Sequence, residues 1–395
     1  MAMLCKTCAS ILLFDPATGR LQCKNCGGSY DLKDSTSIAN SDLRSLYGAE
    51  HHKQTMEFTV HTCGTCGARI SFHGSEINTV CSFCGNSDMR PEGSIKRIRP
   101  DAIIPFSITK DNAVTAVKEH LAELPCLSPE YKDMALRSIR GIYIPYYIVN
   151  ADYKAIMKVQ RWDKSSTYYR SVSCMFDNLI LEASKMLPDE ASVMVEPYDI
   201  KDLKTFHEGY LQGFSSDMAD KDSEDIYHQA VNSIRNMVVD ECRNEKIIPR
   251  KDIITDCDCR PKFTGNPIYS LFPVWFVTCE NKGNGVTFLV NGQTGKVFGN
   301  PPYDVRIFRK NIALISLITI PALFAVLYIV CRLIAYTIVI PPLWVITGWV
   351  IAGIVTIFGI LAGITRYRLR AVEKAISTST SESLLDFINR RSRDV

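Results

Sequence analysis

The sequence predicts an α+β protein made of two tandem small β ribbons, a central α+β domain and a C-terminal transmembrane α-helical hairpin. Three observations predict it: a duplicated pair of CxxC knuckles, a long middle segment that mixes helical and alternating periodicity, and two charge-free apolar runs near the end.

The knuckles come first. Cys5, Cys8, Cys23 and Cys26 read CxxC, fourteen intervening residues, CxxC, and Cys63, Cys66, Cys81 and Cys84 repeat that spacing at a constant offset of 58. Two knuckles brought together offer four soft sulfur ligands in a tetrahedron, the arrangement that zinc takes in structural sites. Gly27, Gly28, Gly64, Gly67 and Gly85 stand beside them, where tight turns let amides approach the sulfurs. The prediction is two structural Zn2+ ions per chain, one on Cys5, Cys8, Cys23 and Cys26, the other on Cys63, Cys66, Cys81 and Cys84. Four thiolates fill each coordination sphere, so neither ion is expected to be catalytic. The first ribbon spans 1–32 and the second 58–99, with a polar linker at 33–57 that holds a short helical possibility at 42–47. The N-terminus lacks the apolar stretch of a secretory signal, and thiolate sites suit a reducing compartment.

Residues 100–303 read as the central domain. A helix is expected over 112–124 with Asp111 as N-cap and Pro125 as stop, and a longer one over 222–242, acidic at its start and apolar at Ile226, Ala230, Val231, Ile234, Met237 and Val238. Gly141 precedes an alternating run at 142–159, and strands follow at 271–278 and 286–290. The turn Asn291, Gly292, Gln293, Thr294, Gly295 joins the last strand to 296–298 as a hairpin. Its glycines are too close together, and Val297 stands where a magnesium-binding hydroxyl is needed, so it is no phosphate loop. The segments 144–152 and 272–280 share a Pro followed by an aromatic and aliphatic run, a second and weaker internal repeat. Asp217, Asp220, Asp222, Glu224 and Asp225 read as a solvated loop and helix start, and Cys257 with Cys259 as free thiols.

The hairpin is assigned to 308–366. The runs 312–331 and 344–365 are each long enough at about 1.5 Å per residue to cross a hydrocarbon layer roughly 30 Å thick. Arg306, Arg309 and Lys310 before the first, and Arg366, Arg368, Arg370 and Lys374 after the second, outweigh Arg332 between them. By the positive-inside rule this predicts a two-span protein of the inner membrane with both termini and a basic tail, 367–395, in the cytoplasm.

Composition narrows function. The 45 basic and 42 acidic side chains leave +3, too little for a global field that gathers polyanions. Residues 1–100 hold eleven Lys and Arg against nine Asp and Glu, a poor electrostatic footprint for nucleic acid, with one local patch at Arg90, Lys96, Arg97 and Arg99. No HExxH, GxSxG, kinase or Rossmann fingerprint occurs. The aromatics Tyr143, Tyr146, Tyr147 and Trp275 read as core and pocket lining.

Four further segments carry a resemblance: 100–114 (PDAIIPFSITKDNAV), 141–153 (GIYIPYYIVNADY), 197–214 (PYDIKDLKTFHEGYLQGF), and FPVWFV at 272–277 with NGQTGKVFG at 291–299. With the paired ribbons in this order, the chain resembles a bacterial family of TFIIB-type zinc-ribbon-containing membrane proteins, some of which carry a label borrowed from the primosomal replication-restart helicase. The resemblance implies zinc ribbons, a central α+β region and, in many members, a membrane anchor; it implies no established activity. This chain is too short for the helicase motor and lacks its ATP-binding loop.

The function expected is that of a membrane-anchored zinc protein whose ribbons and central domain hold a protein partner at the bilayer, without catalysis. A membrane-associated nucleic-acid regulator using the ribbons is the alternative, and an enzyme with a site in the central domain is the second.

Overall fold

The computed structural model describes residues 3–32, 38, 54–72, 80–123, 134–187, 189–221, 223–281 and 284–299, with isolated positions at 306, 310, 325 and 328. The chain divides into two compact units, one formed by Met1–His120, Ala135–Asn300 and Phe387–Val395, the other by Leu121–Met134 and Pro301–Asp386. Every strand described here belongs to the first.

Strands β1 (Leu12–Asp15), β2 (Arg20–Cys23) and β3 (Ser29–Tyr30) form a separate antiparallel sheet of three, the first ribbon. The second ribbon is built from β4 (Thr55–Cys63), β5 (Arg69–Phe72) and β6 (Met89–Ile98), with β4 between the other two. Unlike the first, it is continuous with the main sheet of twelve strands. The bridge is β11 (Ser215–Asp217), which runs antiparallel to β5 and parallel to the long strand β8 (Ala135–Gln160). Around β8 lie β9 (Thr167–Glu182), β12 (Ile253–Cys259) and β13 (Lys262–Asn281), all antiparallel to it. The short strands β7 (Ala102–Ile103) and β10 (Lys204–Thr205) extend the sheet beyond β13, and β14 (Asn284–Asn291) with β15 (Val297–Phe298) closes a hairpin on it.

Three α-helices with described bounds accompany the strands, α1 (Lys110–Glu123), α2 (Asp189–Val195) and α3 (Ser223–Asn244), beside two short 3-10 turns at Ile200–Asp202 and Glu208–Leu211. Thr109, and not Asp111, caps α1, since its hydroxyl accepts from the Asn112 amide and its carbonyl from Ala113. Helix α3 buries Ile226, Ala230, Ile234, Val238 and Cys242, spaced four apart and so on one stripe. That stripe packs with Tyr153, Met157 and Val159 of β8 and Leu179 and Leu181 of β9. Burial of each large apolar side chain contributes about 1.5–3 kcal/mol.

The repeated Pro-aromatic runs turn out to be neighbours. Ile144 pairs with Phe272, Pro145 with Leu271 and Tyr143 with Pro273, so the two segments cross antiparallel about a local dyad. Their aromatics fill the core: Tyr143, Tyr146, Phe272 and Phe276 are fully buried, and Tyr146 stacks on Phe272.

Two expectations are corrected here. The central region is mostly β-sheet with few helices, because the long segments 135–160, 167–182 and 262–281 satisfy their backbone groups by pairing with one another. The C-terminal transmembrane hairpin, and with it the two-span inner-membrane localisation, is overturned by the finding that no helix among the described residues is long and apolar enough to cross a membrane. The runs 312–331 and 344–365 lie outside the described residues apart from Ala325 and Tyr328. Hydropathy measures the composition of a run and does not fix its conformation.

Candidate metal centres

All four CxxC knuckles share one backbone pattern. The amide of the first cysteine donates to the carbonyl five residues on, and the amide four residues on returns to that cysteine's carbonyl: Cys5 with Ser10 and Ala9, Cys23 with Gly28 and Gly27, Cys63 with Ala68 and Gly67, Cys81 with Asn86 and Gly85. The turn requires a left-handed residue at the fourth position. Gly27, Gly67 and Gly85 take it at φ of 72°, 73° and 79°, and Ala9 takes it at 53°. Gly64 has a different reason: a Cβ there would run into the Asp88 carboxylate.

Paired knuckles bring the sulfurs together. Cys5, Cys8, Cys23 and Cys26 form one cluster and Cys63, Cys66, Cys81 and Cys84 the other, with the four Sγ atoms of each lying within 4.8 Å of one another. Cys5 and Cys26 are 3.4 Å apart, Cys8 and Cys23 3.4 Å, Cys63 and Cys84 3.5 Å, Cys66 and Cys81 3.7 Å. A tetrahedron with bonds of about 2.3 Å has edges near 3.8 Å, while a disulfide needs about 2.05 Å. The spacing fits four thiolates around zinc and not cystine; the eight cysteines are free thiols.

The electrostatics point the same way. Hydrogen bonding by Tyr30, 3.2 Å from Sγ, and by the Cys8 and Thr7 amides holds Cys5 down at about 5, while Ser10 holds Cys8 at about 7. At Cys26 the Gly28 amide pulls down, but the neighbouring sulfurs outweigh it and push the thiol up to about 12. In the second cluster Cys81 is held down by hydrogen bonds from Cys66 and Cys84, and Cys66 is pushed up, Cys81 foremost. Four sulfurs this close resist ionising together, and a divalent cation relieves that conflict.

The clusters differ in setting. The first is partly open, with Cys26 exposed, and its ribbon seats Phe14 against Tyr210 and Phe214 of the main unit. In the second, Cys63, Cys81 and Cys84 are buried; Phe83 packs edge-on against Phe276, and the Ser82 hydroxyl is 2.6 Å from that of Ser215. Arg140 reaches it from β8, donating to the Cys81 carbonyl at 3.3 Å and the Thr278 hydroxyl at 2.8 Å. Burial lowers its pKa, and the sulfurs of Cys81, Cys84 and Cys66 oppose that shift. Sequence reasoning passed over Arg140, Tyr30 and Ala9. Only Ala9 had a readable signal, its place where the other three knuckles have glycine.

The histidines near the knuckles do not join them: His61 lies in β4 outside both clusters, and the histidines at 51, 52 and 73 fall outside the described residues. Cys242 is buried against α3's neighbours, and the Cys257 sulfur lies 3.6 Å from the Tyr153 hydroxyl. Arg90 pairs with Asp88, Lys96 with Glu57, and Arg99 donates to the Phe206 carbonyl and lies over its ring, so most of the ribbon-side basic patch is spent internally. The acidic stretch is not solvated throughout: Asp217 is buried and accepts from Ser184, and Asp220 accepts from the Lys185 amide. Asn291 of the hairpin turn is also buried. Its carboxamide donates to the carbonyls of Val195 and Pro197 and accepts from the amides of Gln293 and Thr294.

Beside the first ribbon a cleft of about 560 Å³ opens between Phe14 and Lys24, Ser82 of the second ribbon, Lys110 at the start of α1, and Arg140 and Trp275 of the main sheet.

Fold and clusters together define a class, a mostly β protein with two four-cysteine centres of zinc-ribbon type that could hold two zinc ions. The chain is similar to an uncharacterized protein, YdjG, of Bacillus subtilis strain 168, with 26% identity over 318 residues that cover 75% of this chain and 89% of that one. No family model and no solved structure matches it. The two clusters fit zinc ribbons; a TFIIB-type membrane-protein family is not borne out by these comparisons.

Proposed function

We propose that this is a zinc-dependent binding protein, without catalysis of its own, whose two ribbons are locked by structural zinc and hold a protein partner in the cleft they share with the main sheet. The observation that carries this is the cleft itself, because both ribbons and the central strands contribute to one wall. Its volume of about 560 Å³ suits a short inserted segment, and Phe14, Phe214 and Trp275 give it an apolar floor beneath Lys24, Lys110 and Arg140. Asp15 at the rim already accepts from Thr18 and Gln22 and Arg140 already donates to the Cys81 carbonyl and the Thr278 hydroxyl, so Lys24 and Lys110 are the cations that face a partner, with Asp111 beside them. The occupant that matches is a peptide segment with an apolar or aromatic side chain next to a carboxylate. Metal enters as a clamp: with four sulfur ligands at each centre, no coordination position is left for a reacting water.

The test is proximity labelling in cells with the full chain, its Lys24→Glu/Lys110→Glu variant and its Cys63→Ser variant. Proteins labelled by the parent chain and lost from both variants are the expected outcome. The same labelled set in all three would refute a cleft-dependent, zinc-dependent partner.

A further inference from the structure

We infer that the turn between β8 and β9 forms a groove that binds single-stranded nucleic acid, at a site separate from both ribbons. The groove, about 800 Å³, lies between this turn and the segment after α3, and no ribbon residue lines it. Arg161, Arg170, Lys246, Arg250 and Lys251 surround it and are all exposed. Among the described residues none of these five forms an ion pair within 4.0 Å, in contrast to the paired arginines near the second ribbon. Two carboxylates share the lining, neither within 4.0 Å of these cations, though the charge of Arg161 acts on Asp163. Asp252 is buried and turned inward, accepting from the Trp162 amide and the Tyr168 hydroxyl, and Asp163 accepts from the amide and hydroxyl of Ser165. A chain of net charge +3 thus places five exposed cations against two carboxylates on one concavity.

Aromatic rings complete the site. Trp162 is 65% exposed, a large cost in unburied apolar surface at a turn that a polar residue would serve as well. Lys251 sits 5.7 Å from the centre of its ring, and Arg170 sits 4.7 Å from the Tyr168 ring. Rings flanked by cations in a groove are what a strand with unstacked bases needs, one face for each base and a positive charge for each phosphate. A duplex would present its bases inward and leave Trp162 without a partner. An anionic bilayer would meet the cations too, but a flat surface engages a convex face and does not enter a concave one.

The experiment uses the full-length protein with a fluorescently labelled dT12 strand, followed by anisotropy from 50 to 300 mM salt, beside vesicles containing phosphatidylserine. Binding should weaken with salt at a log–log slope of about −3, near −0.7 for each phosphate contact. Arg250→Glu/Lys251→Glu should lower affinity at least ten-fold and flatten the slope, and Trp162→Ala should lower it about ten-fold while leaving the slope unchanged. Circular dichroism of both variants should match the parent, since all three side chains are exposed. No binding at 50 mM salt, binding unchanged in the charge-reversed protein, loss to Trp162→Ala of nothing at all, or preference for the vesicles would each overturn the assignment.

Discussion

At the scale of single residues, the knuckles rest on one dihedral angle. Ala9 holds φ of 53° where Gly27, Gly67 and Gly85 hold the same turn, and a Cβ in that region costs roughly 1–2 kcal/mol. Ala9→Gly is therefore expected to stabilise the first ribbon by about 1 kcal/mol or to tighten its metal affinity by several-fold. Gly67→Ala, with open space around the position but the same backbone requirement, should weaken the second centre by a similar amount. Competition with a chromophoric zinc chelator measures both, and an Ala9→Gly protein that loses zinc more readily would contradict the account. The eight ligands were legible because coordination chemistry writes itself as local spacing. Arg140 was not, because its nearness to Cys81 is created by packing between residues 59 apart.

At the scale of elements, the hairpin turn at 291–295 shows how a motif acquires its meaning from its surroundings. The sequence marks it as a turn, and the structure adds that Asn291 and Gln293 stitch the segment 195–202 onto it: the Gln293 carboxamide donates to the Asp199 carbonyl and accepts from the Asp199 amide. Replacing Asn291 by Ala strands the buried Val195 carbonyl and Gln293 amide, each costing about 1–3 kcal/mol when unsatisfied, and frees the part-buried Pro197 carbonyl and Thr294 amide, so a loss of about 2–4 kcal/mol is expected in denaturant unfolding. A loss below 1 kcal/mol would mean that the turn does not anchor this segment. Helix α3 could be read from periodicity, since it buries a regular stripe, and the hairpin from its turn chemistry and from the apolar run at 286–290, which is buried throughout. Strand β9 was missed because its burial alternates between exposed and half-buried over most of its length, and only its register against β8 defines it. The α+β expectation failed at the same place, where long-range pairing converted a mixed segment into sheet.

At the scale of the whole molecule, pH and metal act on stability together. Burial pushes Glu182 up to about 8 although Lys221 lies 2.5 Å away, and Glu196 up to about 7 against the opposing charge of Lys296. Both carboxyls keep a proton in the folded chain over a range where the unfolded chain, with its ordinary value near 4.5, has released it. The folded state then binds more protons at these two groups, so their contribution to stability falls as pH rises from about 4.5 to about 8, while the thiolate centres act the other way because acid releases their metal. Because the zinc centres are common to both proteins, the melting temperature of Glu182→Gln relative to the parent should rise with pH across that window; a difference that falls with pH would contradict this.

The central claim is that eight cysteines make two closed tetrahedral sites. Zinc analysis of the purified full-length protein combined with X-ray absorption at the zinc edge tests it directly. The account predicts two zinc ions per chain, each surrounded by four sulfurs at about 2.3 Å; one ion or fewer, or a shell containing nitrogen or oxygen, would contradict it.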